Sequence, residues 1–139
     1  MVQIIPFDPS LIDLKKISVW RYLKLFGLNF EDPKVVRGTG RTPLLPLGLE
    51  GRNILVKSEY FSPTVSFKDR GTEVMINILS NQKATQIAED SSGDAGASVA
   101  AYAARAGIKA KNFVPAHASP SKHRFPFMVP RSSQYQAIG

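Results

Sequence analysis

Apolar residues recur at helical spacing in some parts of the chain and form short continuous runs in others. Residues 10–26 carry apolar side chains at helical spacing behind Ser10, a suitable N-cap, so one helix is predicted there. Residues 31–52 are rich in Gly and Pro, which is typical of turns. The short apolar run 53–57 predicts a strand.

Beyond residue 53 the helical and strand patterns alternate. The order strand, helix, strand, helix, strand is typical of βαβ units that build a parallel sheet. The predicted class is therefore α/β with a partial parallel sheet. The predicted elements are 53–57, 67–80 with Ser66 as its N-cap, 84–90, 96–108 with Gly107 near its end, and 112–116.

The chain divides by pattern into three segments. We expect an N-terminal helix and turn-rich segment over 1–50, and βαβ units over 51–122. The remaining tail, 123–139, has two prolines, clustered aromatic residues and no clear period, so no element is predicted in it.

Composition excludes several classes of protein. The chain has 139 residues, 43% hydrophobic and 21% charged, which is typical of one soluble globular domain rather than a disordered chain. No apolar run is long enough to span a bilayer, and the N-terminus lacks the pattern of a signal peptide. The absence of cysteine excludes disulfides, thiol catalysis and cysteine zinc sites. These features fit a cytoplasmic protein without a membrane partner.

The net charge of +7 allows three interpretations. Nucleic-acid binding is disfavoured, because basic and aromatic residues do not interleave in a recognisable motif. Since the basic residues are spread along the chain, a solvated surface is favoured. Attraction of anionic small molecules such as phosphates is the third interpretation.

The stretch SFKDRG places Lys68 at the first turn of an apolar helix. A lysine is a nucleophile only when neutral, and burial favours that state. The apolar neighbours Val65 and Phe67 predict partial burial, and Asp69 and Arg70 either pair with each other or fix the turn. Such a lysine can form a Schiff base with a carbonyl cofactor, although by itself the pattern favours an ordinary surface lysine.

The stretch SSGDAG, residues 91–96, follows a predicted strand and opens a helix. Its backbone N–H groups and two hydroxyls at the positive helix end suit a carboxylate or a phosphate. By itself an ordinary turn is again favoured. Loops at the carboxyl ends of neighbouring parallel strands gather at one edge of a sheet, however. Together with Lys68 the loop predicts a site for an amino acid that carries an imine.

Five stretches, in their order along the chain, resemble the threonine synthase family. This family belongs to the pyridoxal-phosphate-dependent enzymes of the tryptophan-synthase-β type, which have fold type II. The resemblance runs from about Val19 to Lys122, and the Trp-Arg-Tyr run near its start favours threonine synthase over the related dehydratases. The stretches are VWRYLKLF, GRTPLLPL, LVKSE, SFKDRG and EDSSGDAGASVAAYAARAGI.

The resemblance implies a role for each matching residue. Lys68 would hold pyridoxal 5'-phosphate as a Schiff base and later move protons. Where the family usually has an asparagine that bonds the cofactor's phenolic oxygen, this chain has Asp94, whose carboxylate only accepts and would repel that oxygen. The family tends to have glycine where this chain has Val65, so a changed turn is expected. The residues implied to grip the substrate carboxylate are Ser91, Ser92, Gly93, Ala95 and Gly96.

The implied reaction converts O-phospho-L-homoserine and water to L-threonine and phosphate. The basic charge of the chain suits such a phosphorylated amino-acid substrate. Two alternatives stay open: a related threonine or serine dehydratase, and a chain without catalysis that persists as an interaction module.

The chain also departs from the family. A second glycine-rich loop for the cofactor phosphate is missing, and the family pattern stops near HASPSK. We therefore expect a truncated fold type II enzyme, inactive alone, with a homo-oligomer or a completing chain as its partner. A frameshift or premature stop in the gene is the hypothesis for the tail. His117 and His123 have no acidic cluster beside them and are interpreted as loop residues, with no metal site.

Overall fold

A computed structural model describes residues 6–91, 93–115 and 136–138 of the chain. It confirms the α/β class, while the predicted division near residues 50 and 122 stays a prediction. Within these residues no helix is both long and apolar enough to cross a membrane. The elements, in chain order, are 3₁₀ helices Pro9–Leu11 and Val19–Leu25, strands β1 (Leu44–Leu49) and β2 (Arg52–Lys57), a 3₁₀ helix Glu59–Phe61, helix α1 (Asp69–Asn81), strand β3 (Gln86–Asp90), helix α2 (Asp94–Ala106), and strands β4 (Lys109–Pro115) and β5 (Gln136–Ile138).

The unit β3–α2–β4 is the predicted βαβ unit. β3 and β4 pair in parallel, and α2 connects them. α2 ends at Gly107, whose φ of +71° gives the left-handed cap that glycine favours. β5 pairs in parallel with the other side of β4, so a strand lies in the tail where none was predicted.

The predicted strand 53–57 is confirmed as β2, but its predicted place in the parallel sheet is wrong. β2 pairs antiparallel with β1 in a separate two-stranded sheet. The turn between them has Glu50 and Gly51 at φ +49° and +73°, the two-residue geometry that joins adjacent antiparallel strands. The pattern missed β1 because Pro46 and Gly48 interrupt it.

The single helix predicted over 10–26 is wrong, since the chain forms two short 3₁₀ segments there. Asp8 rather than Ser10 caps the first segment, accepting a hydrogen bond from the Ser10 N–H at 2.8 Å. The Val19 N–H donates to the Thr39 carbonyl at 2.6 Å. This long-range bond takes a donor that a continuous helix would have used internally.

Helix α1 confirms the prediction over 67–80, but Ser66 is not its N-cap. Lys68 occupies the cap position without a capping side chain, and the Ser66 hydroxyl accepts from the Lys68 N–H at 3.3 Å. α1 and α2 pack around a small apolar core that includes Ile76 and Tyr102.

A stripe of buried polar residues on α1 holds the segments around it. Glu73 is fully buried, and its carboxyl oxygens accept from the Trp20 indole at 2.6 Å and the Thr39 hydroxyl at 2.5 Å. One turn further, the Asn77 amide bonds both the N–H and the carbonyl of Val35, at 2.9 and 2.8 Å. Trp20 is itself only 2% exposed, so its ring packs inside the fold.

Two contacts fix α1 against α2. Asp69 accepts from the Ser98 hydroxyl at 2.6 Å, and the Thr39 hydroxyl, bonded to Glu73, lies 2.5 Å from the Tyr102 hydroxyl. From the first contact to the second, the residue on α1 changes from Asp69 to Glu73 and the residue on α2 from Ser98 to Tyr102, four positions later on each helix. α1 and α2 therefore run in the same direction with their starts side by side. Burial raises the pKa of Tyr102 above its ordinary value, which keeps the phenol available as a donor to Thr39.

The turn before α1 contains a strained residue. Val65 has a φ of +63°, a left-handed conformation that glycine adopts freely and a β-branched residue does not. Its N–H donates to the Ser62 carbonyl at 2.8 Å, and its side chain is 68% exposed. The valine therefore carries strain of about 1–2 kcal/mol with little burial to offset it.

Val65→Gly should raise the free energy of unfolding by about 0.5–1 kcal/mol, because relief of the strain exceeds the entropic cost of glycine. The measurement is urea unfolding. Val36 is a matched control, since it is also an exposed valine (53%) but lacks a positive φ. Val36→Gly should therefore destabilise the protein. Equal destabilisation by both changes would contradict the strain at Val65.

Candidate active site

Lys68 lies at the start of α1 and is exposed. Its Nζ lies 4.8 Å from the centre of the Phe67 ring. The prediction that Val65 and Phe67 partly bury this lysine is wrong, because these neighbours are themselves 68% and 56% exposed. The turn makes its buried contacts through Ser66 and Asp69 instead, which are 5% and 0% exposed.

Asp69 fixes the turn that carries Lys68. Its carboxyl group accepts from the Thr64 N–H at 2.7 Å, from the Thr64 hydroxyl, and from the Ser98 hydroxyl at 2.6 Å. Of the two alternatives for Asp69 and Arg70, fixing the turn is confirmed and mutual pairing is wrong.

Arg70 anchors the same turn to the base of the β1–β2 hairpin. Its guanidinium donates to both carboxyl oxygens of Glu59 at 2.8 Å and to the Thr42 hydroxyl at 3.2 Å. The hydrogen bond from Arg70 lowers the pKa of Glu59 to about 2. Gly40 lies close to the backbone of Val19, since a Cβ at Gly40, where φ is +105°, would lie 3.1 Å from the Val19 nitrogen. Glycine therefore allows the two backbone segments to approach each other.

The serine-rich loop follows β3 and leads into α2. The Gly93 N–H donates to the Ser91 hydroxyl at 3.2 Å, and Asp94 is exposed in the first turn of α2. Ser92 lies outside the described residues, as do His117 and His123. The first N–H groups of this 13-residue helix have no intrahelical acceptor and are available to an anion.

Gly96 sets the shape of the loop. A Cβ at this position would lie 2.7 Å from the Ser91 carbonyl oxygen and 2.6 Å from Nδ2 of Asn112 on β4. Only glycine lets the loop fold this closely onto the helix. Asn112 is a neighbour of the loop that sequence reasoning missed, although a polar residue inside a predicted strand was a visible signal. Among the described residues its buried Oδ1 has no hydrogen-bond partner.

The Asp69–Ser98 bond relates the lysine to the loop. Ser98 lies about one helical turn after Asp94, so the bond brings the start of α2 beside the start of α1. Two cavities of about 490 and 530 Å³ open elsewhere, and neither is lined by Lys68 or by described residues of 91–96. The candidate site is therefore an exposed edge in the described part of the chain.

Most residues at this edge have chemical groups that suit an aldehyde cofactor and an amino-acid carboxylate. An exposed Lys68 amine fits the aldehyde, and the first N–H groups of α2, which have no acceptor within the helix, fit the carboxylate. The exposed carboxyl of Asp94 is the exception, since it does not fit an anionic phenolic oxygen.

Comparison with known proteins gives a family. The model of the family "Pyridoxal-phosphate dependent enzyme" matches residues 35–126. A threonine synthase from Methanocaldococcus jannaschii is 37% identical over 100 residues, covering 68% of this chain and 25% of that relative. Cysteine synthase B from Campylobacter jejuni is 38% identical over 80 residues, covering 55% and 27%.

A solved structure agrees with the sequence matches. A hydrogen sulfide-producing enzyme from Fusobacterium nucleatum is similar with a TM-score of 0.57 and 31% identity, covering 62% of this chain and 31% of that chain. This chain thus spans about a quarter of the length of the Methanocaldococcus relative. The resemblance read from the motifs, the fold type II class and the cofactor of the family are confirmed. The chain belongs to the family of pyridoxal-phosphate-dependent enzymes.

Proposed function

We propose that this chain supplies the lysine and the carboxylate-binding loop of a threonine synthase. The reaction is the conversion of O-phospho-L-homoserine and water to L-threonine and phosphate, in cytoplasmic threonine biosynthesis. The observation that carries the proposal is the 2.6 Å bond between Asp69 and Ser98, because it holds the start of Lys68's helix beside the start of the loop's helix. The name of the Methanocaldococcus relative supports the choice of reaction.

Each residue has one task in the proposal. When bound, pyridoxal phosphate supplies an electron sink for negative charge at a substrate carbon. Lys68 Nζ would hold the cofactor aldehyde and afterwards move a proton at the substrate. Asp69 and Arg70 would position this amine through the turn they fix. The residues that would grip the substrate carboxylate are Ser91, Ser92, Gly93, Ala95 and Gly96.

The Campylobacter and Fusobacterium relatives favour a second candidate, a sulfur-handling reaction with the same cofactor. The dehydratase alternative also stays open, because a lysine and a carboxylate loop serve all three reactions. We expect no turnover by the chain alone, since it offers no second glycine-rich loop for the cofactor phosphate.

Lys68 should be the residue that attaches the cofactor. After incubation with pyridoxal phosphate and reduction with borohydride, peptide mapping should find most of the label on Lys68. Lys68→Ala should abolish that label, whereas Lys34→Ala, at another exposed lysine, should leave it unchanged. Label spread evenly over the surface lysines would show that Lys68 is an ordinary side chain.

O-phospho-L-homoserine should protect Lys68 from this labelling, because its amine competes for the aldehyde while the loop holds its carboxylate. Protection should exceed that by L-serine, L-threonine or O-acetyl-L-serine at equal concentration by about tenfold. Gly96→Ala should remove the protection while labelling of Lys68 without substrate persists, since the added Cβ would clash with the Ser91 carbonyl. Stronger protection by L-threonine or L-serine would contradict the synthase and favour the dehydratase. Stronger protection by O-acetyl-L-serine would favour the sulfur-handling candidate.

Asp94→Asn should improve cofactor binding, because an amide can donate to the phenolic oxygen that a carboxylate repels. The expected change is a roughly tenfold lower cofactor concentration for half-maximal labelling of Lys68, about 1.4 kcal/mol. Asp32→Asn removes an exposed carboxylate outside the loop and should have no effect. Unchanged or weaker binding by Asp94→Asn would mean that the carboxylate is tolerated or used.

A further inference from the structure

A cavity of about 490 Å³ lies against the two 3₁₀ helices Pro9–Leu11 and Val19–Leu25. Its volume falls in the range of small-molecule sites, about 300–1,000 Å³. Neither Lys68 nor any described residue of the serine-rich loop lines it. The cavity is therefore a second place, separate from the candidate active site, where a small ligand fits.

Charged residues of both signs line this cavity without pairing with one another. Three are basic and three are acidic, so their formal charges cancel. None of the six forms an ion pair with another described residue. A ligand that carries one charge of each sign complements such a lining better than a simple anion or cation does. The six residues are Asp13, Lys16, Arg21, Lys24, Glu31 and Asp32.

Arg21 carries an unused donor in the wall of the cavity. Its Nε is buried and has no hydrogen-bond partner among the described residues. The guanidinium carbon lies 5.5 Å from the centre of the Tyr22 ring, a contact that uses the face of the group and not the N–H groups at its edge. A buried donor without a partner costs about 1–3 kcal/mol, and more when it is charged. The cavity therefore favours a ligand with an acceptor at this position.

A second arginine of the chain shows which acceptor suits such an Nε. Arg70 donates from Nε to one carboxyl oxygen of Glu59 and from a terminal nitrogen to the other, both at 2.8 Å. Arginine matches a carboxylate best through two parallel hydrogen bonds of this kind. Because Arg21 has the same group with its Nε unused, the carboxylate of a ligand is the acceptor that fits it.

The remaining lining suits the other parts of an amino acid. Asp13 already uses one carboxyl oxygen for a backbone N–H at 3.0 Å, so Glu31 and Asp32 are the main acceptors for an ammonium group. Trp20 and Phe30 also line the cavity, with their ring centres 6.2 Å apart. They offer an apolar surface to a side chain that carries no charge.

We propose that this cavity binds the zwitterion of an α-amino acid with an apolar side chain. The carboxylate of the ligand pairs with Arg21, its ammonium group pairs with Glu31 and Asp32, and its side chain packs on Trp20. The inference goes beyond the proposed function and does not rest on it, because it uses no residue of the candidate active site.

L-Leucine is the probe, and Trp20, the one tryptophan of the chain, is the reporter. L-Leucine should change the fluorescence of Trp20 in a saturable way. 4-Methylpentanoate lacks the ammonium group and 3-methylbutylamine lacks the carboxylate, so each should bind about tenfold more weakly. Arg21→Lys keeps the charge but loses the paired donors. It should weaken L-leucine about tenfold and leave 3-methylbutylamine unchanged. Arg52→Lys, at an exposed arginine of β2, is the matched control and should bind L-leucine as the parent chain does.

The acidic side of the cavity is tested by Glu31→Gln combined with Asp32→Asn. This change should weaken L-leucine about tenfold and leave 4-methylpentanoate unchanged. Gly96→Ala, which disturbs the serine-rich loop, should bind L-leucine as the parent chain does. Circular dichroism confirms that each variant is folded before binding is compared.

Three results would overturn the proposal: no saturable response to L-leucine, unchanged binding in Arg21→Lys, or loss of binding in Gly96→Ala. Equal binding of 4-methylpentanoate and L-leucine would also overturn it, since the site would then recognise an anion alone. Binding is measured without pyridoxal phosphate, so none of these outcomes alters the labelling of Lys68, and this inference and the proposed function fail independently.

Discussion

The buried carboxyl group of Glu73 is the interaction on which the described fold depends. Its oxygens accept hydrogen bonds from the Trp20 indole, the Thr39 hydroxyl and the Arg37 N–H, which lie on segments without an α-helix or strand of their own. A carboxyl group taken out of water costs several kcal/mol unless its oxygens are bonded. Because the donors come from more than one segment, α1 and the N-terminal part of the chain hold each other in place.

Two further polar residues of α1, each four positions from Glu73, hold other segments in the same way. Asp69 lies one turn before Glu73 and Asn77 one turn after it, so all three share one face of the helix. Asp69 fixes the turn of Lys68, while Asn77 fixes the backbone of Val35. Such a polar stripe is normally the solvent face of an amphipathic helix, and here it is buried.

The sequence predicted the elements whose own apolar pattern is regular. β3, α2 and β4 have the expected periods, and Gly107 ends the helix as expected. The pattern over 10–26 failed because the Val19 N–H and the Trp20 indole are bonded to residues far along the chain. The apolar pattern within residues 10–26 cannot indicate bonds to Thr39 or Glu73, which lie outside that segment. β1 was missed for a different reason, because Pro46 at a strand edge resembles a turn signal.

The sequence points to the chemistry of the candidate site, and this stays a prediction, while the surroundings of the site were not predictable. The stretch SFKDRG marks Lys68 because an aspartate and an arginine follow it, but their tasks are visible only from their partners, Ser98 and Glu59. Neither charge touches the other, and both serve the geometry of the turn. Exposure could not be read from apolar neighbours, since Val65 and Phe67 both lie outside.

Arg70 joins the lysine to the exposed hairpin. Its guanidinium bonds Glu59, just after β2, and Thr42, just before β1, so the base of the hairpin is fixed to the turn that carries Lys68. Exposed apolar side chains occur on both sides of this anchor in the sequence, at Leu45 and Leu47 on β1 and at Phe61 and Phe67 after β2. Chemistry at a lysine of this kind needs a site closed to water. Lys68 is exposed in the described part of the chain, so this part holds the amine in place and does not by itself close the site.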